Sequence, residues 1–143
     1  MKLYLDNCCF NRPFDDQNQM RIHLEAEAKL QIQAGIFEKE YELVWSYIVE
    51  YENMFNPHEE RRNAIQKWKK KATTEIIESE KIITMAERYM KQGVKAKDAL
   101  HLACAAKGNC DYFLTTDDQL LSKKDKIKEV NILNPLDFIQ LIK

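Results

Sequence analysis

The sequence is poor in the features that mark fibrous, membrane-spanning and secreted proteins. Its 143 residues include three glycines and three prolines, and 45% of them are hydrophobic and 31% charged. This composition excludes a fibrous or disordered chain and indicates a helix-rich globular one. No apolar run approaches the roughly 20 residues of a membrane-spanning helix. Because the first residues also lack the basic start and apolar middle of a signal peptide, we expect a cytoplasmic protein with no membrane partner.

The cysteines and histidines show no spacing typical of a metal finger. Four cysteines and three histidines are present, without a C-x-x-C pair. The adjacent thiols of Cys8 and Cys9 cannot bridge each other without strain, so we expect free thiols with no chemical role. The formal net charge of −1 excludes an overall positive field. Any binding of nucleic acid would therefore be local or mediated by a metal ion.

Apolar periodicity, together with helix-capping and helix-stopping residues, predicts alternating strands and helices. Short apolar runs are predicted as strands at residues 2–6, 41–45, 73–77, 111–116 and 130–133. Longer segments are predicted as helices at residues 20–36, 46–56, 58–71, 79–90, 95–107 and 135–142. The polar segment 7–19, with Pro13 and two adjacent aspartates, is predicted as a loop.

This alternation is typical of an α/β fold. Strands that alternate with helices form a mainly parallel sheet whose two faces are covered by the helices. We therefore expect a single-domain α/β/α sandwich over residues 1–143, a length that suits one hydrophobic core. In an open sheet of this kind, ligands collect outside the carboxyl ends of the strands. That edge is where a functional site is expected.

Carboxylates stand at the ends of two predicted strands. The first strand ends in Asp6, and the fourth is followed by Asp117, while Asp98 lies near the start of the helix that precedes the fourth strand. If both strands are central and parallel, Asp6 and Asp117 open onto the same edge of the sheet. From the residues alone, the pattern indicates an acidic metal site of unknown use.

A further acid is expected from the predicted helix 46–56, where Glu50 and Glu52 compete. With helical periodicity, Glu52 shares a face with Ile48 and Phe55, whereas Glu50 lies on a more polar face. A charge on an inward face is costly unless function or a metal ion compensates it. Glu52 is therefore the preferred alternative, and Glu50 remains open.

Four short motifs resemble those of the PIN-domain family of nucleases, in order and along nearly the whole chain. They are Leu3-Tyr4-Leu5-Asp6, then Ser46 with Glu52 six residues later, then Asp98-Ala99-Leu100-His101-Leu102-Ala103, and then Phe113-Leu114-Thr115-Thr116-Asp117. Each motif alone is weak, but the four in this order within one domain are specific. The resemblance implies a PIN-like domain whose acids bind a divalent metal ion. It also implies endoribonuclease chemistry, as in the VapC-type toxins of toxin–antitoxin pairs.

The resemblance further implies an RNA substrate, an antitoxin protein as partner, and a homodimer. Mg²⁺ or Mn²⁺ suits such a site because hard cations prefer oxygen ligands and can supply the water for in-line attack on a phosphodiester. We assign Asp6 and Asp98 as the principal metal ligands. Asp117 is assigned as a ligand, directly or through water, and Glu52 as a ligand or as the base that orients the water.

Five neighbouring residues have alternative roles. Asp118 is a reserve ligand or caps the following turn. Thr115 and Thr116 hold a metal-bound water or a phosphate, or they only pack at the strand end. Asn7, which stands where many family members have Ser or Thr, is a turn residue or a substrate contact. Arg12 clamps a phosphate or forms a surface salt bridge.

Two further features are expected to be structural. His101 lies three residues after Asp98 on the same predicted helix, but we expect a satisfied, partly buried histidine. The predicted helix 58–71 carries basic residues around Trp68, a combination that suits contact with phosphates and bases. A solvated helix face is the preferred interpretation.

Two other functions compete with a metal-dependent ribonuclease. A catalytically inactive PIN-like module would hold RNA or a protein partner on the basic helix, and it would survive loss of the acids. A phosphatase-like or receiver-like domain would use acidic strand ends and Mg²⁺ on small phosphates, but no residue is plainly placed as its phosphoryl acceptor. The intact set of acids favours the nuclease.

Overall fold

The computed structural model describes residues 1–142 and contains a five-stranded parallel sheet. The strands are β1 (Lys2–Leu5), β2 (Glu42–Ser46), β3 (Thr74–Ile76), β4 (Tyr112–Leu114) and β5 (Asn131–Leu133). In space they follow the order β3-β2-β1-β4-β5, and all neighbours are parallel. The predicted parallel sheet is confirmed, with β1 at its centre between β2 and β4.

Eight α-helices within residues 1–142 connect and flank these strands. They are α1 (Asn7–Asn11), α2 (Met20–Phe37), α3 (Tyr47–Met54), α4 (Glu59–Gln66), α5 (Glu80–Lys91), α6 (Ala96–Lys107), α7 (Asp118–Leu121) and α8 (Pro135–Ile142). None of them is long and apolar enough to cross a membrane.

Both faces of the sheet are covered. Successive side chains of a strand point to opposite faces, and Leu3, Tyr4 and Leu5 are 0%, 0% and 1% exposed. Helix α5 packs on α6, and α2 packs on α8. Burial on both faces is what a parallel sheet between two helical layers requires, so the expected α/β/α sandwich is confirmed.

Aromatic contacts fix the central strands to their neighbours near the edge that carries the acids. The ring of Tyr4 on β1 stacks on Phe113 of β4, with ring centroids 5.1 Å apart. Trp45 on β2 meets Phe10 of α1 edge-on at 5.8 Å. Such pairs contribute beyond the area that they bury, and they hold β1, β2, β4 and α1 in a fixed relation.

The predicted loop at residues 7–19 is wrong at its start, where the chain forms α1 and then a 3-10 turn (Arg12–Phe14). Asp6 caps α1 by accepting a hydrogen bond from the Asn7 backbone N–H at 2.7 Å. Cys9 and Phe10 are buried and anchor the helix to the core. The polar composition of the segment hid this short helix because the periodic pattern spans little more than one turn.

Two other elements differ from the prediction. The predicted helix 58–71 is α4 followed by a 3-10 turn (Lys67–Lys71), so the lysine-rich end does not continue the α-helix. Helix α7 is absent from the prediction because it is one turn long, and such short elements carry little periodic signal.

Candidate active site

Asp6 lies at the carboxyl end of β1, next to the end of β4. Leu5 pairs with Leu114 in the sheet, and the Asp6 backbone N–H donates to the Leu114 carbonyl at 3.0 Å. Thr115, the next residue after Leu114, donates its hydroxyl to Asp6 Oδ2 at 2.9 Å. Parallel pairing of β1 and β4 therefore brings Asp6 beside the residues of the last motif, as the predicted adjacency requires.

Glu52, and not Glu50, is the glutamate that faces Asp6. Glu52 Oε1 is 2.5 Å from His101 Nε2, and Oε2 accepts a hydrogen bond from Asn7 Nδ2 at 3.3 Å. Glu50 points away, toward Lys69, which donates to it at 2.7 Å. The separation follows from α3, because residues two apart lie on different faces of a helix. Among the two alternatives, the position of Glu52 is the one that suits a site residue.

His101 belongs to the site rather than to the general core. It is satisfied, as expected, but it is 1% exposed instead of partly buried. Its Nδ1 is 2.6 Å from the Tyr4 hydroxyl, which is in turn 2.6 Å from Ser46 Oγ. Its Nε2 contacts Glu52 and lies 3.7 Å from Asp6 Oδ1. A buried chain of hydrogen bonds thus runs from the end of β2 through β1 and α6 to Glu52.

The surrounding charges shift the pKa values of Asp98 and His101 upward. Burial, followed by the charges of Asp6 and Asp117, raises the pKa of Asp98 to about 6. Burial alone would lower the pKa of His101, but its hydrogen bond to Glu52 and the charge of Asp6 raise it above its ordinary value. Burial and nearby like charges raise the pKa of Asp98, whereas opposite charges raise that of His101. Both shifts show that negative charge is concentrated here, which favours a bound cation.

Asp117 and Asp118 have distinct surroundings. Asp117 Oδ1 accepts from the backbone N–H groups of Gln119 at 2.9 Å and Leu120 at 3.4 Å, and so it caps α7. Asp118, which was expected to cap this turn, instead binds the Arg21 guanidinium at 2.6 and 2.7 Å. The chain forms the one-turn helix α7 from Asp118 onward, so the capping position falls on Asp117.

The thiol of Cys8 lies in the site, contrary to the expectation that the cysteines have no role there. Its Sγ is 3.5 Å from Asp6 Oδ2 and 3.4 Å from Thr115 Oγ1, and it accepts from the Thr116 backbone N–H at 3.3 Å. Thr115 is fully buried and Thr116 is 5% exposed. Thr115 thus contacts both Asp6 and Cys8 with its hydroxyl, and Thr116 contacts Cys8 with its backbone N–H. No sequence signal other than proximity to Asp6 marked Cys8.

Arg12 is held in ion pairs away from the acids. Its Nε is 2.9 Å from Glu25 Oε1, and its Nη1 is 3.1 Å from Asp15 Oδ2. Its guanidinium is thus already occupied on two sides. This geometry favours the salt-bridge interpretation over the phosphate clamp, although Glu25 is fully buried and the pair is not a simple surface contact.

A cavity of about 250 Å³ opens beside Asp98. Lys95 and Lys123 line it together with Gly93. Gly93 has φ +93°, and a Cβ there would lie 3.0 Å from Lys123 Nζ. Glycine is therefore favoured at this position for its backbone angle, whereas the flexible end of Lys123 would only have to shift slightly to admit a Cβ. The cavity combines a carboxylate with two cations, a mixture suited to an anionic substrate held next to a metal ion.

The donor atoms of the site fit a hard divalent cation. Asp6, Asp98, Asp117 and Glu52 offer carboxylate oxygens, the ligands that Mg²⁺ and Mn²⁺ prefer. The side-chain oxygen of Asn7 is buried with no hydrogen-bond partner, which leaves one more oxygen donor at the cleft. Across residues 1–142, however, no three His, Cys, Asp or Glu side chains already lie close enough to hold an ion. The chemistry of the donors fits, whereas their spacing is not that of a closed cage.

We expect Asp98→Asn to stabilise the metal-free protein at pH 7 by about 1 to 2 kcal/mol. Because the pKa of Asp98 is raised, the folded protein binds this proton more tightly than the unfolded chain does. Stability is therefore lost as the pH rises from the ordinary aspartate pKa to about 6, and asparagine removes that loss. Urea unfolding in EDTA measures the difference.

The matched control is Asp125→Asn, which removes an exposed carboxylate from a 3-10 turn (Lys124–Lys126) and should change stability by less than about 0.5 kcal/mol. The gain for Asp98→Asn should shrink toward pH 4, where the wild-type carboxyl is itself protonated. A variant no more stable than wild type at pH 7 would contradict the crowding of charge at Asp98.

The fold and the cleft define a class of protein: a parallel α/β/α domain with an acidic site at the carboxyl edge of its sheet. Within this class, the chain belongs to the PIN-domain family, because the family model described as PIN domain matches residues 3–127. The resemblance that the four motifs indicate is thereby confirmed.

Solved structures of VapBC proteins share the fold. One is VapBC2 from Rickettsia felis bound to a DNA fragment from their promoter, at 14% identity and a TM-score of 0.62; the other is VapBC-1 from nontypeable Haemophilus influenzae, at 17% identity and a TM-score of 0.60. Both similarities cover 94% of this chain and 98% of the other chain. No curated protein matches the sequence. At these identities the similarity extends to the fold.

Proposed function

We propose that the chain is a divalent-metal-dependent endoribonuclease of the VapC-like toxin type. One observation carries the proposal: burial and the charges of Asp6, Asp117 and Glu52, which come from other elements of the fold, raise the pKa of Asp98 in a chain of the PIN-domain family. Each strand-end acid alone has a structural explanation as a cap. The raised pKa of Asp98 has no such explanation, and it supports a site that is completed by a cation.

Asp6 and Asp98 are the proposed principal ligands of Mg²⁺ or Mn²⁺, and Asp117 binds directly or through water. When bound, the ion supplies positive charge to the phosphodiester and a water of lowered pKa. Thr115 orients the Asp6 carboxylate through the hydroxyl contact at 2.9 Å. Asp6 and Asp117 also cap α1 and α7, so their orientation is tied to the backbone.

Glu52 is the proposed base that orients the attacking water, or a further ligand. His101 holds its carboxylate at 2.5 Å, and Tyr4 holds the other ring nitrogen of His101. Because the imidazole is buried and bonded at both nitrogens, Glu52 has one defined direction. Mutation of a residue that orients a metal-site carboxylate in this way typically lowers metal affinity or activity by about 10- to 100-fold.

The phosphate backbone of RNA would lie where cations flank the acids. Lys95 and Lys123 line the cavity beside Asp98, and Arg61 lines a second cleft together with Glu52 and Asn7. Positive side chains at these two clefts offset the repulsion between RNA and the carboxylates. The net charge of −1 makes such local placement necessary.

Cleavage of an RNA pool tests the proposal. A mixture of single-stranded and structured RNA is incubated with the wild-type protein and Mn²⁺, Mg²⁺ or EDTA. We expect cleavage with either ion and its loss in EDTA, with recovery when the ion is added back in excess. Cleavage that persists in EDTA contradicts a metal-dependent site. Binding of RNA without cleavage, by folded and metal-loaded protein, favours the alternative of a catalytically inactive PIN-like module.

The alternative module has one specific observation in its favour, the absence of a closed ligand cage in the described residues. The crowding of charge at Asp98 weighs against it, because a non-catalytic surface has no use for a half-buried carboxylate of raised pKa. We therefore keep the nuclease as the first proposal.

The proposed partners follow from the family. We propose RNA as substrate, an antitoxin protein as regulatory partner, a second copy of this chain as a homodimer partner, and the cytoplasm as the location. The similarity in fold to VapBC proteins supports the protein partner.

A further inference from the structure

A second cavity, which none of the site acids lines, contains a buried lysine. Its volume is about 280 Å³, and its lining includes Phe10, Phe14, Lys29, Leu30, Gln33 and Trp68. Helix α2 contributes Lys29, and α4 with the following 3-10 turn contributes the opposite wall. The volume is near the lower end of the range for small-molecule sites.

Lys29 is 1% exposed, although lysine is almost never fully buried unless it is paired. No carboxylate of the described chain affects its pKa, and burial lowers that pKa to about 7, with Cys9 opposing the change. The neighbouring buried acid, Glu25, is already bound by Arg12 and Arg21. The amino group therefore has no anionic partner within residues 1–142.

Two aromatic rings flank the amino group. Lys29 Nζ is 5.0 Å from the ring centroid of Phe10 and 5.5 Å from that of Trp68. Contacts of this kind stabilise an ammonium group by about 0.5 to 2 kcal/mol, much less than the several kcal/mol that burying an ion costs. The rings orient the amino group at the cavity wall without neutralising it.

We propose that this cavity binds a small amphiphilic carboxylate, with the carboxylate on Lys29 Nζ and the apolar body among Phe10, Phe14, Leu30 and Trp68. A monoanion fits better than a phosphate because the cavity offers one cation and no arginine, and its other walls are mainly apolar. Gln33 supplies a second polar group at the wall. The proposal does not rest on the nuclease function.

The pairing is favourable because the cavity has already removed water from the amino group. A charge-assisted hydrogen bond in such surroundings is roughly twice as strong as a neutral one. The carboxylate would also raise the affinity of Lys29 for its proton, since an opposite charge nearby favours the charged form. A neutral amide of the same shape accepts a weaker hydrogen bond from the ammonium group, because the amide carries no charge, and it does not raise the affinity of Lys29 for its proton.

The test compares 2-naphthoate with its neutral analogue 2-naphthamide on the whole chain. Isothermal titration calorimetry gives both dissociation constants, and the NMR signal of the Trp68 indole N–H shows whether the probe binds beside this ring. We expect 2-naphthoate to bind wild type at least about 10-fold more tightly, the gain expected for one hydrogen bond to a charged group. Equal affinities, or no binding of 2-naphthoate, would overturn the proposal.

Lys29→Met removes the charge and keeps the apolar length of the side chain. It should lower the ratio of the two affinities to about 1, because only the charge-assisted bond is lost. Lys67→Met is the matched control, since Lys67 is exposed next to Trp68 but does not line this cavity; its ratio should stay as in wild type. A ratio unchanged in Lys29→Met would also overturn the proposal, and the wild-type ratio decides it if this variant does not fold.

Discussion

Replacing Asp98 with asparagine is expected to reduce metal-dependent RNA cleavage at least about 100-fold, the upper end of what loss of a supporting contact costs at metal sites. Asp98 suits this test because its side chain does not cap a helix. Burial and the surrounding charges account for its raised pKa, without any hydrogen bond from the described residues. The substitution therefore removes a ligand charge without breaking a cap, and the rate of cleavage under single-turnover conditions measures the loss.

Asp6→Asn should have a similar effect on cleavage, but it also weakens the cap of α1, so it is the less specific variant. Asp125→Asn serves as the control and should cleave as wild type does, because its carboxylate is exposed and does not line the cavity beside Asp98. Cleavage by Asp98→Asn at a rate close to wild type would refute its assignment as a ligand. A loss of cleavage together with a gain in stability would identify Asp98 as a charge kept for function at the expense of stability.

The second large effect is expected at Arg12, where methionine should destabilise the fold by about 3 kcal/mol. Glu25 is fully buried, and it is bound by Arg12 at 2.9 Å, Arg21 at 3.2 Å and Asn134 at 2.5 Å. Removing Arg12 leaves a buried carboxylate with fewer partners, and an unpaired buried charge is strongly destabilising. Urea unfolding in the presence of EDTA measures the change.

Arg88→Met is the matched control, since Arg88 is 57% exposed and its pair with Glu129 lies at the surface. That substitution should cost less than about 1 kcal/mol. The same pair of variants separates the two interpretations of Arg12. If Arg12 has a structural role, Arg12→Met should lower stability and leave the KM for RNA unchanged. If Arg12 clamps a phosphate, the same substitution should raise KM and leave stability close to wild type.

The positions of the acids at the strand ends could be predicted from the sequence because the signals are local. An apolar run that ends in Asp6, and another that ends before Asp117, need only the rule that parallel strands share a carboxyl edge. The choice of Glu52 over Glu50 likewise follows from helical periodicity. The sheet confirms the adjacency on which these inferences depend, with β1 paired to β4.

The contacts around the acids could not be predicted because they join residues far apart in the chain. Tyr4 and Ser46 meet His101 only when β1, β2 and α6 are packed together. Cys8 reaches Thr115 through the same packing of α1 against β4. In neither case does the spacing in sequence carry information, and so His101 was expected to be a satisfied, partly buried histidine and Cys8 an idle thiol.

Local pattern was sufficient for the five strands, for their alternation with the longer helices and for the acids at the strand ends, because each depends on a few consecutive residues and on side-chain periodicity. It missed the short helices α1 and α7. Tertiary packing alone decided which charges are neutralised: Asp118 by Arg21, Arg12 by Glu25, and Lys29 by no carboxylate within residues 1–142. The reason is that the energy of a charge depends on its burial and on partners from other elements of the fold. Neither can be inferred from the neighbouring sequence.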